Sequence, residues 1–323
     1  MSHTHENRDD KVSLVEMGPR DGLQNETATL SLAQRLALIA RLAESGLQRI
    51  EVGAFVSPKK VPQMADSAAL FNALPRRGPT RYAALVPNLQ GLQTAIAARA
   101  DEIGLFTACS DGFTRANIGI SVEESLVRFA PLVQEARSLG IKVRGYLSTV
   151  IACPFDGPTR PKRVAALAER LLDLGCHEIS LGDTIGVGTP GTVAPMLDAV
   201  LHEIPAGRLA VHFHDTYGQG LANLLPALER GIRTIDCSVA GLGGCPYAPG
   251  ASGNVASEEV VYLLHGLGMS TGVDLDQLAA TGQWVSELLG RPNGSRVGQA
   301  LHGRGRRLAQ EREQRALGSH HAS

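Results

Sequence analysis

No apolar run in this 323-residue chain reaches the ~18 residues of a membrane-spanning helix. An excess of charge is missing too. The net charge is −1, so no long-range field would draw the protein to nucleic acid or to an anionic membrane. The five cysteines (Cys109, Cys153, Cys176, Cys237 and Cys245) contain no C-x-x-C pair. That argues against a disulfide framework or a structural zinc, and the odd count suits a reducing compartment. The opening "MSHTHENRDD" has neither the apolar core of a signal peptide nor the Arg-rich character of a transit peptide, so the expected location is the cytoplasm. What is present is an ordinary globular balance, 43% hydrophobic and 20% charged. A chain of this length can bury a large core without covalent cross-links.

Eight short β-rich runs alternate with longer segments of helical spacing. They cover 12–18, 49–55, 81–87, 101–108, 142–150, 176–184, 208–216 and 234–243. Their starts are spaced like successive βα units. Between them, Ser31 and Ser121 stand as helix N-caps, the latter in a Ser-x-x-Glu capping box, and Gly46, Gly140 and Gly175 stand as stops. Eight units predict a (β/α)8 TIM barrel with additional C-terminal helices; six would suit a doubly wound sheet better. The expected layout is a disordered tail at 1–11, the barrel with its C-terminal helices at 12–300, and a polar, fraying tail at 301–323.

In a barrel enzyme the chemistry sits at the carboxyl ends of the strands. Those ends carry Arg20 and Asp21, Glu51, Tyr146, Asp183, His212, His214 and Asp215, then Cys245 and Asn254. His212 and His214 are two apart on a strand, so both point to one side. Two imidazoles on one side of a barrel mouth make half of a metal site. Strand 1 meets strand 8 when a barrel closes, and strand 8 meets strand 7. Asp21, His212, His214 and Asn254 can therefore converge. Two nitrogen and two oxygen donors suit Mg²⁺ or Mn²⁺. Zinc would be favoured if Cys245 joined the histidines. Taken alone, Asp21 reads as a turn aspartate, and Arg20 reads equally as a surface ion-pair partner.

"GLGGCPYAPGASGN" (241–254) is a glycine-rich loop without the ending of a P-loop. Its Cys245 is a candidate thiol acid or base at the mouth of the site. "GVGTPG" (186–191) matches G-x-G-x-x-G, but in the sixth unit rather than the first, which speaks against a dinucleotide site. As a helix N-terminus it could still touch a phosphate.

The stretches "VEMGPRDGLQNE", "FVSPKKVPQM", "EISLGDTIGVGTPG", "VHFHDTYGQGLAN" and "VAGLGGCPYAPGASGN" together resemble the 3-hydroxy-3-methylglutaryl-CoA (HMG-CoA) lyase family, over about residues 12–298. The resemblance implies cleavage of an acyl-CoA substrate, HMG-CoA, to acetyl-CoA and acetoacetate. It implies metal ligation by Asp21, His212, His214 and Asn254. Catalytic positions would be Arg20, Cys245, Glu51, Asp183 and His212. Substrate-facing positions would be Arg20, Gln24, Tyr146, Ser180 and Thr184. A homodimer is the expected assembly. The family pattern is broken at Ala54, Lys60 and Asp111 and over the 290–296 loop, which leaves the acyl group open. Rivals are a lyase for citramalyl-CoA or a branched isoprenoid analogue, a Claisen-type synthase using acetyl-CoA, and a barrel that only binds ligand. The identity of the general base stays open between a histidine, an acid and a metal-bound water.

Overall fold

The computed structural model of the chain describes residues 11–59, 61–76, 78–244 and 253–320. Cys245, Lys60 and most of the expected N-terminal tail therefore lie outside the described residues. Eight strands pair in parallel and close: β1 (Ser13–Glu16), β2 (Arg49–Ala54), β3 (Arg81–Leu85), β4 (Glu102–Ala108), β5 (Lys142–Ser148), β6 (Glu178–Asp183), β7 (Leu209–Phe213) and β8 (Thr234–Cys237). Each pairs with its neighbour in sequence, and β1 pairs with β8 to complete the ring. This is the expected barrel. Around and beyond it run α1 (Leu32–Glu44), α2 (Ser67–Ala73), α3 (Leu89–Ala97), α4 (Asp111–Ile118), α5 (Val122–Ser138), α6 (Pro161–Leu174), α7 (Pro190–Glu203), α8 (Gly220–Glu229), α9 (Ser257–Gly266), α10 (Leu275–Leu289) and α11 (Arg296–His320).

The local signals act as expected. The Ser31 hydroxyl accepts the Gln34 N–H while the Gln34 side chain accepts the Ser31 N–H. Ser121 and Glu124 make the same reciprocal pair. Gly175, at φ 112°, turns the chain out of α6, a conformation that costs glycine no Cβ clash.

The core has two characters. Outside the barrel wall, Leu38, Ile39 and Leu42 of α1 lie in one fully buried cluster with Ile50 and Val52 of β2. Inside, alternate residues of the strands carry charge instead of the branched aliphatics that usually fill such barrels. Arg144, Glu178, Asp236 and Glu51 are all buried there, joined by Arg49 and Glu102 at the lower end. The Tyr146 ring crosses this interior because Gly104 leaves room; a Cβ on Gly104 would lie 2.4 Å from Tyr146 Cε2.

Two expectations need correction. The eighth strand stops at Cys237 rather than running to 243, because Ala240 and Gly241 adopt positive φ and turn the chain. The expected boundary at 300 falls inside a helix. α11 runs through that boundary to His320, in keeping with the strong helix formers of "RRLAQEREQRAL". None of the described helices is long and apolar enough to cross a membrane.

Candidate metal and acyl-cleavage site

Three elements meet at the carboxyl mouth of the barrel. β1 leads into a tight turn, Gly18–Gly22, with the sequence GPRDG. Its backbone is pinned from below: the buried Glu16 carboxylate accepts the Gly18 and Val239 N–H groups and the Ser257 hydroxyl. That staple joins the turn after β1 to the turn after β8, and it places Arg20 and Asp21 over the mouth. β7 contributes His212 and, just past its end, His214. The third element is the chain at 253–256, which folds back across the barrel top. There Asn254 bridges His214, and the Asp215 N–H donates to Gly253 O at 2.8 Å.

Asp21, His212 and His214 converge, with one ligand atom of each within 4.8 Å of the others. The two imidazoles face each other, Nε2 to Nε2, at 3.2 Å. The Asn254 amide donates to Asp21 Oδ2 at 2.9 Å and to Leu242 O at 3.1 Å, which leaves Oδ1 as its remaining side-chain acceptor. All four expected metal residues are therefore brought together. Two opposed imidazole nitrogens beside a carboxylate form a poor closed network and a good cation cradle. Burial, and next the neighbouring His212, push the His214 pKa down to about 4, so the ring is neutral and one ring nitrogen keeps a lone pair. Burial alone would raise Asp21, but Arg20 and the two histidines outweigh it and hold the carboxyl below its ordinary value.

Arg20 is planted as well as charged. Its Nε donates to Glu51 Oε2 at 2.5 Å and its Nη1 to Asp21 Oδ1 at 2.8 Å. Burial would lower its pKa, but these two carboxylates raise it instead. Glu51, fully buried, receives the Tyr146 hydroxyl at 3.0 Å. Tyr146 thus supports Glu51, which in turn fixes the guanidinium.

Asp183 ends β6. Its Oδ2 accepts the Gly188 N–H at 2.7 Å, the Gly186 N–H donates to the Asp183 main-chain carbonyl at 3.1 Å, and the Val187 N–H helps to hold the carboxylate's charge. The glycine-rich "GVGTPG" loop therefore wraps an acid of the chain itself, so its amides are not open to a phosphate. Burial raises the Asp183 pKa to about 6 despite those bonds, and its buried Oδ1 has no hydrogen-bond partner among the described residues.

The remaining expected positions divide. Thr184 is half-buried at the rim and accepts the Thr149 N–H at 2.9 Å. Gln24 is half-buried just past the GPRDG turn. Ser180 is corrected: it lies inside the barrel, 1% exposed, with its hydroxyl on Asp236, because alternation on β6 aims it below the histidines. Ala54 is buried in the wall. Asp111 starts α4 and accepts the Val122 N–H, tying α4 to α5. The 290–296 loop is fastened near the mouth by the Arg291–Glu26 ion pair and by the Gly294 N–H on Ala240 O. Sequence reasoning missed Glu16, Asp236 and Arg144. For Asp236 and Arg144 the signal is a charged residue at an inward strand position; Glu16 instead faces outward from β1, in register with Ile50 and Cys237, and its signal is an acid within an apolar run.

His212→Ala is expected to weaken Mn²⁺ or Mg²⁺ binding about 10-fold or more while the fold is kept, since the ring is not core packing. Titration calorimetry checks this. Wild-type stoichiometry and affinity would remove His212 from the ligand set.

The HMGL-like family model matches residues 11–285, which include every residue of this site. The chain is 52% identical to the mitochondrial hydroxymethylglutaryl-CoA lyase of Arabidopsis thaliana, over 91% of this chain but 63% of that protein. It is 52% identical to the 3-hydroxy-3-isohexenylglutaryl-CoA/hydroxymethylglutaryl-CoA lyase of Pseudomonas aeruginosa, over 90% of this chain and 97% of that one. The crystal structure of hydroxymethylglutaryl-CoA lyase from Pseudomonas aeruginosa superposes with a TM-score of 0.89, at 52% identity, covering 91% of this chain and 98% of that one. Strand order, site and sequence agree, and the chain belongs to the HMGL-like family.

Proposed function

We propose that the chain is a divalent-metal-dependent carbon–carbon lyase that splits HMG-CoA into acetyl-CoA and acetoacetate. The observation that carries the reading is the meeting of Asp21, His212 and His214 beside a buried, doubly anchored Arg20. The donors are carboxylate and amide oxygens with imidazole nitrogens, a set that suits Mg²⁺ or Mn²⁺. Such an ion lowers the pKa of a substrate hydroxyl and polarises a carbonyl.

The chain's own groups supply the rest. Asp183, raised to about 6 and with Oδ1 unpartnered, is suited to take the proton of the tertiary hydroxyl. Arg20 is suited to hold the negative oxygen of the departing thioester enolate, because its fork is fixed before the charge develops. Cys245, in the glycine-rich stretch between Gly244 and Gly253, is read as the acid that returns a proton to the enolate carbon. Cys245→Ala should retain metal binding and lose about 10²–10⁴-fold in turnover. Unchanged turnover would exclude the thiol.

The decisive assay is release of acetoacetate from HMG-CoA, abolished by a chelator and restored by Mg²⁺ or Mn²⁺. Consumption of acetyl-CoA with appearance of CoA thiol would instead mean a synthase, and neither would mean a binding barrel. A second acyl group is favoured by one observation: the Pseudomonas aeruginosa relative is named for 3-hydroxy-3-isohexenylglutaryl-CoA as well. A panel of 3-hydroxyacyl-CoA thioesters, citramalyl-CoA among them, ranks the substrates by kcat/KM. We read the assembly as a homodimer, for which light scattering is the check. Four buried free thiols, Cys109, Cys153, Cys176 and Cys237, go with a reducing compartment such as the cytoplasm.

A further inference from the structure

Behind His212 the barrel wall carries a carboxylate that neither the metal cluster nor the acyl chemistry uses. The parallel register of β7 and β8 sets His212 beside Asp236. Asp236 Oδ2 lies 3.2 Å from His212 Nδ1. A carboxylate only accepts, so this contact puts a proton on Nδ1. The neutral ring then carries its lone pair on Nε2, the atom that faces His214 and Asp21.

The carboxylate is itself held by three further bonds. Arg144 donates Nη1 to Oδ2 at 2.9 Å and Nη2 to Oδ1 at 2.7 Å, a two-point grip that fixes the carboxylate plane. The Ser180 hydroxyl donates to Oδ2 at 2.8 Å. Arg144 is braced in turn by Glu178, from Nε to Oε2 at 2.7 Å. Asp236 and Arg144 are 1% and 0% exposed, so bulk water does not reach these bonds. His214 differs: its buried Nδ1 has no hydrogen-bond partner among the described residues.

We propose that Asp236 is a positioning residue that sets the tautomer and ring plane of His212, with Arg144 as the clamp that makes the setting rigid. The inference rests on reading Asp21, His212 and His214 as a metal site. The competing explanation is that Asp236 only neutralises Arg144 within the core. The two differ in what happens at His212.

Nitrogen-15 histidine NMR of the metal-free wild-type chain, at mildly alkaline pH, reads the tautomer directly, and the signals lost in His212→Gln assign that ring. The expected result is His212 protonated on Nδ1. In Asp236→Asn the carboxamide can turn its NH₂ toward Nδ1 and move the proton to Nε2. Mn²⁺ affinity is then expected to fall about 10–100-fold with an unchanged circular dichroism spectrum. A wild-type His212 protonated on Nε2 overturns the proposal. So does an Asp236→Asn chain with wild-type tautomer and wild-type Mn²⁺ affinity. If Asp236→Asn does not fold, the wild-type tautomer decides alone. A wild-type chain that binds no Mn²⁺ overturns the metal reading along with the proposal. Equal Mn²⁺ affinity with and without Asp236 overturns only the proposal.

Discussion

Arg20→Lys is expected to lower kcat about 10²–10³-fold, with a much smaller change in KM. The residue acts through geometry as well as charge. Its guanidinium reaches Glu51 Oε2 at 2.5 Å and Asp21 Oδ1 at 2.8 Å from two edges of one rigid plane. A lysine ammonium is a point charge on a flexible stem and cannot span both partners while facing a third group. It would settle on Glu51, which lies deeper, and leave the developing enolate oxygen without its fixed donor. The overall fold should survive, because positive charge still balances the buried Glu51. Steady-state kinetics with HMG-CoA and the preferred metal is the measurement. A kcat within a few-fold of wild type would mean that Arg20 serves Glu51 and not the transition state.

Arg144→Met should cost about 3–5 kcal/mol of stability. Arg144 is wholly buried and is the common partner of Asp236 and Glu178, with bonds of 2.7–2.9 Å to their carboxylates. Its positive charge holds Asp236 well below the ordinary aspartate range, although burial by itself would push that group up. Burial likewise acts against the Glu178 carboxylate, yet Arg144 and Arg49 together bring it down to about 2. Methionine keeps the volume and removes the charge, so Asp236 is left ionised in the barrel with Ser180 and His212 as its remaining hydrogen-bond partners among the described residues. Arg49 still reaches Glu178, so the larger part of the loss should fall on Asp236. Chemical denaturation of metal-free protein is the check. A loss below about 1 kcal/mol would put this cluster in the class of surface pairs and contradict its burial.

The strands were legible because each is a short β-rich run bounded by turn residues, and the helices because their caps are written in local pairs such as Ser121 with Glu124. Strand ends were less so. Apolar residues continue past Cys237, and only the positive φ of Ala240 and Gly241 stops β8. The metal residues were visible as types at strand ends, since His212 and His214 share a face by spacing alone. Ser180 was misplaced for a related reason. Alternation says that a residue points inward, but not how far below the mouth it lies.

Sequence alone determined the eight βα units, the ring order that follows when each strand pairs with the next, and the identity of the groups at the mouth. These depend on periodicity and on turn and cap chemistry, which act over a few residues. Tertiary structure decided the partnerships: Glu51 with Arg20, Asn254 with Asp21, and the line from Glu178 through Arg144 and Asp236 to His212. Those contacts join residues between 24 and 233 positions apart. They exist only because barrel closure brings inward side chains from different strands into one water-poor interior, where each charge must find a partner.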